Sequence, residues 1–369
     1  MPTAVGPNTK GEENLVFGYD LGDVSNSYKG EPTTNLYGNW NAYTGGSYEV
    51  LDNNTNYIKL LASAGTPWAG QFTAAVSAGT YTVSFQHRTD DGGSNNFNID
   101  NDTQDDNIWN ANITTTTEWQ TYTSTKTHTG TGNHLLYFRR NGGAGDIYIR
   151  NVQIELKSHA TPFVKGTRSA TQGLLDLKGN STIDITNASF DSNAQMTFDG
   201  TSDYASVGYS TAINTPDGAT YEIMLYPESG GEFLSRGKSD SGTDPDNPRF
   251  YLDGTGYLYF DWSTTGADTY VDTPASTATF NQWNHVVGVA QPGDQLRIYV
   301  NGVEASYNTV VRTVPSPVPN TEDPIIIGGV SWIPRYFDGK IAMVKLYNRA
   351  LTSSEIKSNF NAIKGRFNI

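Results

Sequence analysis

Apolar and polar residues alternate along most of this chain at the two-residue period of β-strands, in short runs broken by Gly, Pro, Asn and Asp. The clearest instance is Trp283 to Gly302. Val286, Val287 and Val289 form one apolar run, and Leu296, Ile298 and Val300 alternate with polar neighbours. Between them, Gln291-Pro292-Gly293-Asp294 supplies a turn, because Pro fixes φ and Gly allows positive φ. Asn301-Gly302 opens the next tight turn, so the stretch predicts a β-hairpin. Upstream, the same pattern predicts strands over 182–185, 196–198, 205–207, 220–226, 232–236, 249–252 and 257–262. In the first half it predicts strands over 48–50, 57–61, 70–75, 79–88, 96–99, 120–127, 132–139 and 147–156, which suit a jelly roll. Leu15, Phe17 and Tyr19 mark one more strand near the start, after a polar arm over residues 1–12. The period changes once. Thr352-Ser353-Ser354-Glu355 is a capping box, and Ile356, Phe360 and Ile363 follow at helical spacing, so one short amphipathic helix closes the chain. The fold class expected is all-β, with two β-sandwich or jelly-roll domains and that single helix.

Several motifs carry a family resemblance. Trp283-Asn284-His285-Val286, with Tyr299-Val300-Asn301-Gly302, resembles the central hairpin of laminin-G-like, concanavalin-type β-sandwiches. Phe198-Asp199-Gly200-Thr201-Ser202-Asp203-Tyr204 is similar to the early turn of that family. Asp338-Gly339-Lys340-Ile341, continuing through Tyr347-Asn348-Arg349-Ala350-Leu351 to Glu355-Ile356, is similar to its closing strand and helix. Residues 14–30 resemble the family's opening strand, whose usual continuation appears only at Leu175-Asp176-Leu177-Lys178-Gly179-Asn180. The resemblance therefore implies a discontinuous sandwich, with its first strand in 13–30 and the remainder in 174–369, and a jelly roll inserted over 31–158 ahead of a linker over 159–173. Two domains in series, with 14–30 packed on the first, is the alternative.

The inserted stretch has resemblances of its own. Gly79 to Phe85, Trp119-Gln120-Thr121-Tyr122 and Ile147 to Glu155 are similar to strands of carbohydrate-binding jelly-roll modules. Arg150 stands where those modules have an acidic residue, a departure that counts against their structural calcium. Gln153 to Arg168, QIELKSHATPFVKGTR, resembles a join found in bacteriophage tail and fibre proteins.

Charge narrows the partners. With 38 acidic against 24 basic residues the formal charge is −14, which argues against nucleic acid or an anionic membrane. There is no cysteine, hence no disulfide framework and no thiolate metal site, and the five His residues are scattered. The first residues lack the basic start and apolar core of a secretory signal, and no apolar run is long enough to cross a bilayer. Glycan-type folds without the usual export signal fit a virion protein, made in the host cytoplasm and released by lysis. An extracellular location is the alternative.

Candidate chemistry is sparse. Concanavalin-type hydrolases place two or three carboxylates at alternate positions of one strand, at the separation glycoside hydrolysis needs. No strand here has that pattern. Tyr221-Glu222-Ile223-Met224-Leu225 has one carboxylate, with Glu222 expected to face solvent or a neighbour. No nucleophile elbow is present either, so no catalytic residues are expected and the chain reads as non-enzymatic. Glycan binding needs aromatic platforms and a few planar polar groups. The candidates are Trp68, His87, Arg88, Asp90, Trp109 and Arg139 in the inserted domain, and Trp262, Trp332, Arg335 and Tyr336 in the sandwich. Trp283 and His285 read as structural. Oxygen-rich loops of the sort hard cations use occur at Asp90 and Asp91, at Asp100, Asp102, Asp105 and Asp106, and at Asp240, Asp244 and Asp246, none with EF-hand spacing. No cofactor is expected beyond a Ca2+ ion at such a loop.

The expected function is that of a non-enzymatic bacteriophage virion protein, a fibre, spike or head or tail decoration, adhering weakly and multivalently to cell-surface glycans. Its expected partners are other virion proteins and further copies of itself as a homo-oligomer. Two other readings stay open: an inert structural spacer of the virion, and a secreted bacterial lectin or polysaccharide-acting enzyme fragment.

Overall fold

The computed structural model describes residues 12–37, 48–64, 68–72, 77–91, 95–101, 111–130, 135–191, 194–236, 248–262, 268–319, 321–329 and 335–369. The chain divides into two compact units, one formed by Met1–Glu31 with Ala170–Ile369, the other by Pro32–Ser169. Among the described residues the structure is almost wholly β, with one α-helix, Ser353–Phe367, here called α1. No helix among them is long and apolar enough to cross a membrane.

The discontinuous unit is two stacked antiparallel sheets. In the first, Asp338–Tyr347 is the central strand. One edge of it pairs with Gln195–Asp199 and, further along, with Leu15–Asp20; the other edge pairs with Ala219–Pro227. The hairpin Asn284–Ala290 and Arg297–Val300 extends the sheet, with Val286 opposite Val300 and Gly288 opposite Ile298. The second sheet runs Ile183–Thr186, Tyr204–Val207, Ile325–Ile327, Gly231–Arg236, Arg249–Leu252, Leu258–Asp261, Tyr270–Asp272 and Thr309–Val311. Alternation decides the core. Tyr221, Ile223, Leu225, Val286 and Ile298 from one sheet meet Phe233, Phe250, Leu252, Phe260 and Val271 from the other. The chain passes close to itself where this unit breaks off and resumes, at the Tyr28–Leu174 bridge. A Cβ on Gly173 would lie 2.5 Å from the Gly30 carbonyl oxygen, so only glycine fits there.

One carboxylate ties the early strand to the resumed chain. Asp176 Oδ1 accepts the backbone N–H groups of Gly18 (3.0 Å) and Lys178 (3.1 Å). Its Oδ2 accepts those of Asn180 (2.8 Å) and Ser181 (3.1 Å). The turn after Gln195–Asp199 is closed likewise: the Asp199 carboxylate takes the hydroxyl and N–H of Thr201 and the N–H of Ser202, and Gly200 sits at φ +71°.

The second unit is also two sheets. One runs Tyr48–Asp52, Tyr57–Leu60, Ile147–Glu155, Gly79–Thr89 and Gln120–His128, the other Trp68–Phe72, Leu135–Gly142, Asn95–Asn101 and Ala111–Thr115. Val83, Phe85, Ile149 and Ile154 pack on Phe97, Ile99, Leu136 and Phe138. The stretch after Ile147–Glu155, expected as a linker, is pinned by buried polar groups. Glu155 accepts the N–H of Thr161 at 2.8 Å and the hydroxyls of Thr161 and Thr33 at 2.8 and 2.7 Å. Gln153 accepts the N–H of Val164, and Arg168 donates to the Pro162 carbonyl. The residues that make the join recognisable thus do structural work: they satisfy one another where water is excluded.

Strands over Ala111–Thr115, Ser189–Asp191, Tyr270–Asp272, Val303–Glu304, Thr309–Val311 and Ile325–Ile327 also form. Five of them span two or three residues, too few for a period to show.

Candidate functional site

Glu222 is not at the surface. It is buried on the helix-covered side of the first sheet, where α1 lies across Ala219–Pro227 and Asn284–Ala290. Its Oε1 is 2.8 Å from His285 Nε2, and its Oε2 accepts from the Tyr347 hydroxyl at 2.7 Å and the Asn359 amide at 3.2 Å. Burial alone would raise its pKa. His285, Lys345 and Tyr347 outweigh burial and hold it below the usual carboxylate range. The group bonds helix to sheet between two apolar clusters and has no route to solvent, which makes it structural.

The side of the second sheet facing away from the core carries a different set. Where inward positions are Phe250, Leu252, Leu258 and Phe260, the outward positions of the same strands are Arg249, Tyr251, Tyr259 and Asp261. Tyr251 pairs directly with Tyr259, and Tyr259 with Asp272; Arg249 pairs with Asp261, and Asp261 with Tyr270. The rings of Tyr259 and Tyr270 are 5.1 Å apart between centroids, and the Arg249 guanidinium is 5.4 Å from the Tyr259 ring.

Beneath them lie acids. Asp261 Oδ2 takes two N–H groups of Arg249, at 2.7 and 3.1 Å, and Glu232 Oε1 is 3.8 Å from Arg249 and 3.3 Å from Arg335. Burial would lower the Arg249 pKa, but Asp261 and Glu232 overcome it and keep the guanidinium charged. Burial, reinforced by Asp261, raises the Tyr259 phenol, which stays protonated as a donor. The three tyrosines are half-buried and Arg335 is exposed at one side. Ring faces, phenol and guanidinium donors and carboxylate acceptors lie side by side on a regular, pre-formed surface. Both carboxylates are engaged by arginine, and among the described residues no hydroxyl or thiol is set up as a nucleophile on this face.

Of the residues singled out from sequence, Arg335 and Tyr336 come to this face; Tyr336 packs over Gly329 and its backbone bridges Glu232. Trp262 does not. It is 1% exposed, in register with Leu258 and Phe260, and donates its indole N–H to the Pro319 carbonyl at 2.9 Å. His87 is also a core residue, against Phe85 and Phe97, with Nδ1 3.1 Å from the Thr115 hydroxyl. Burial pulls its pKa down to about 4. Neither presents a ring to a ligand. Trp68 and the exposed Arg139 sit opposite each other in the four-stranded sheet of the other unit, where the Trp68 ring meets Tyr137 edge-on at 5.9 Å. Arg88 lies on the outer side of the five-stranded sheet. Asp90 accepts the Asp146 N–H at 2.7 Å, and Asp91 accepts from the Asn95 amide. Among the described residues no three acidic or His side chains converge as metal ligands. Trp109, Trp332, Asp102, Asp105, Asp106, Asp240, Asp244 and Asp246 lie outside the described residues, and of Asp100 the backbone alone is described.

Sequence reading missed Tyr251, Tyr259, Tyr270, Arg249, Asp261 and Glu232. The signal was there in part: in Arg-Phe-Tyr-Leu and Leu-Tyr-Phe-Asp the positions opposite the apolar ones are aromatic or charged, so alternation alone placed them outward.

No curated protein matches the sequence. Among solved structures, the receptor-binding domain of botulinum neurotoxin C/D mosaic serotype aligns at 10% identity and TM-score 0.40, over 52% of this chain and 48% of that one. The binding domain of botulinum neurotoxin DC, in complex with rat synaptotagmin II, aligns at 13% and 0.43, over 53% and 50%. Trypanosoma rangeli sialidase in complex with sialic acid aligns at 19% and 0.40, over 61% and 42%. The chain spans about half the length of the first of these. Residues 199–357 match the profile of the Laminin_G_3 family, described as the concanavalin A-like lectin/glucanases superfamily. With its two stacked antiparallel sheets and closing helix, the discontinuous unit is a concanavalin-like sandwich.

Proposed function

We propose that this protein is a non-enzymatic component of a bacteriophage particle, a fibre, spike or head or tail decoration, that holds glycans weakly and at many sites at once. The observation that carries the glycan reading is the tyrosine face of the second sheet. Tyr251, Tyr259 and Tyr270 stand in adjoining cross-strand positions with Arg249, Asp261 and Glu232 among them. Sugar C–H faces stack on phenol rings, and hydroxyls meet guanidinium donors and carboxylate acceptors. Because Arg249 is already paired with acids, the face suits uncharged, hydroxyl-rich saccharides. The lectin-like superfamily match over 199–357 agrees with that chemistry. The particle assignment rests on the resemblance of the Gln153 to Arg168 join to those of tail and fibre proteins. Weak single sites suit a repeated surface subunit, where linked copies raise avidity without new contacts.

The test is affinity electrophoresis through gels cast with uncharged polysaccharides. Retardation by at least one polymer is expected, with binding about tenfold weaker after Tyr259→Ala, the loss expected for one stacked ring. Equal mobility in all gels would end the glycan reading. Peptide mapping of purified phage particles checks the other half: absence of this chain from particles that infect the same host would end the virion assignment.

A further inference from the structure

The outer side of the five-stranded sheet in the second unit has a chemistry the tyrosine face lacks. Cross-strand pairing sets Glu49 opposite Lys59, Lys59 opposite Tyr148, and Tyr148 opposite Arg88. In the adjoining row Arg150 is opposite Gln86, and Gln86 opposite Thr121. Three rings gather over these rows: Tyr57 is 5.9 Å from Trp119 and 6.3 Å from Tyr148. Two guanidinium groups lie on them. Arg150 sits 3.8 Å from the Trp119 centroid, and Arg88 sits 4.5 Å from Tyr148 and 5.3 Å from Trp119. All five side chains are half-buried, so the forks are fixed in place and still reach solvent.

What sets this pair apart is the combination of ring contacts, unspent N–H groups and no counter-charge. In the other unit Arg236 and Arg312 are spent on carbonyl oxygens, and Arg249, Arg297, Arg335, Arg349 and Arg366 each meet a carboxylate. That is the ordinary outcome in a chain with 38 acidic and 24 basic residues. Among the described residues, Arg88 and Arg150 meet none. The acids nearby are engaged elsewhere: Glu49 and Asp146 pair with Lys59 at 2.9 and 3.5 Å, and Asp90 accepts a backbone N–H. Arg150 spends only its Nε, on Gln86 at 2.9 Å. Arg88 Nε is buried without a hydrogen-bond partner. Two pre-oriented forks with free N–H edges, flanked by ring faces and an amide, form a receptor for a planar or tetrahedral oxyanion carried on a ring that can stack.

We propose that this face binds an acidic saccharide, its carboxylate or sulfate held by Arg88 and Arg150 and its sugar ring against Tyr57, Tyr148 or Trp119. The site is separate from the tyrosine face and stands or falls without it. Together they would let one chain take uncharged and acidic polymers on different units.

The whole chain is run through gels containing polygalacturonate, dextran sulfate or uncharged dextran, and Trp fluorescence is followed while trigalacturonate is added. Retardation by polygalacturonate identifies the carboxylate as the ligand, and retardation by dextran sulfate alone identifies the sulfate. In either case the Arg88→Gln/Arg150→Gln variant binds at least about tenfold more weakly, as loss of bidentate charged contacts requires, and added salt weakens wild-type binding. Arg88→Lys/Arg150→Lys, which keeps charge but loses the fork, recovers only part of the affinity. Tyr259→Ala leaves it unchanged. Near-UV circular dichroism confirms that each variant is folded, and trigalacturonate reads out the wild type with no variant at all. The proposal is overturned by no binding to either acidic polymer, by equal binding of dextran in the Tyr259→Ala variant whose tyrosine face is disabled, by equal binding of oligothymidylate or polyglutamate added as competitors, or by a folded glutamine variant that binds as the wild type does.

Discussion

His87 is a base enclosed by phenyl rings, and burial holds its pKa near 4 against an ordinary 6.5. Folded-state neutrality has a sign. Above pH 6.5 neither state is protonated and the fold loses nothing; as pH falls from 6.5 toward 4, the unfolded chain takes up a proton that the folded one refuses. The second unit should therefore lose stability over that window. Thermal unfolding followed at pH 7, 5.5 and 4 should show it, and His87→Leu should flatten the slope. An unchanged slope in that variant would mean other groups set it. Asp176 makes the opposite kind of contribution, accepting four backbone N–H groups from a nearly buried position. Asp176→Ala should cost about 3 kcal/mol in denaturant unfolding, because it orphans several donors at once. His87 and Trp262 also show what the sequence contained. Each is in register with inward apolar neighbours, Val83 and Phe85 for one, Leu258 and Phe260 for the other. Their polar atoms suggested a site, while their strand parity already placed them in the core.

At the scale of elements, the closing helix decides between the two alternatives the sequence left for Glu222, solvent or a neighbour. Alternation puts Glu222 on the side opposite Tyr221 and Ile223, and that side would be wet if nothing covered it. α1 covers it, and a strand's own pattern cannot say what will pack on its second face. Asn359, one turn from Ile356 and Ile363, completes the buried group with His285 and Tyr347. Glu222→Leu should destabilise the sandwich by about 3 kcal/mol, since it leaves three buried polar groups without their acceptor. The helix start was legible from Thr352-Ser353-Ser354-Glu355 alone, and both reciprocal capping bonds form. Arg349, followed by the Thr352 N–H and hydroxyl, holds Glu355 down to about 2 from an ordinary 4.5. That stabilisation is complete above pH 4.5 and is lost as pH falls toward 2. Hydrogen exchange of the helix should rise over that window in the wild type and less in Glu355→Gln. Strands of two or three residues, such as Tyr270–Asp272, stayed unread because their pairing, and not their pattern, makes them strands.

For the whole molecule, fold class was legible because every level agreed: alternation, turn residues, the capping box and the early FDG turn all describe the same all-β architecture. The candidate surface was less legible, because a surface is built across strands. Tyr251, Tyr259 and Tyr270 lie on three successive strands, and register sets them side by side. Trp and His drew attention first, yet the face proposed to hold uncharged glycans is made of tyrosines and a paired arginine. The central claim is that this face takes uncharged glycans without turning them over. The most direct measurement is the binding isotherm of an uncharged oligosaccharide, chosen from a glycan array, to wild type and to Tyr251→Ala/Tyr259→Ala, with reducing ends assayed in parallel. Saturable weak binding by the wild type, loss of about tenfold or more in the folded variant, and no new reducing ends are the predicted result. Equal binding by both proteins, or release of reducing sugar, would contradict it.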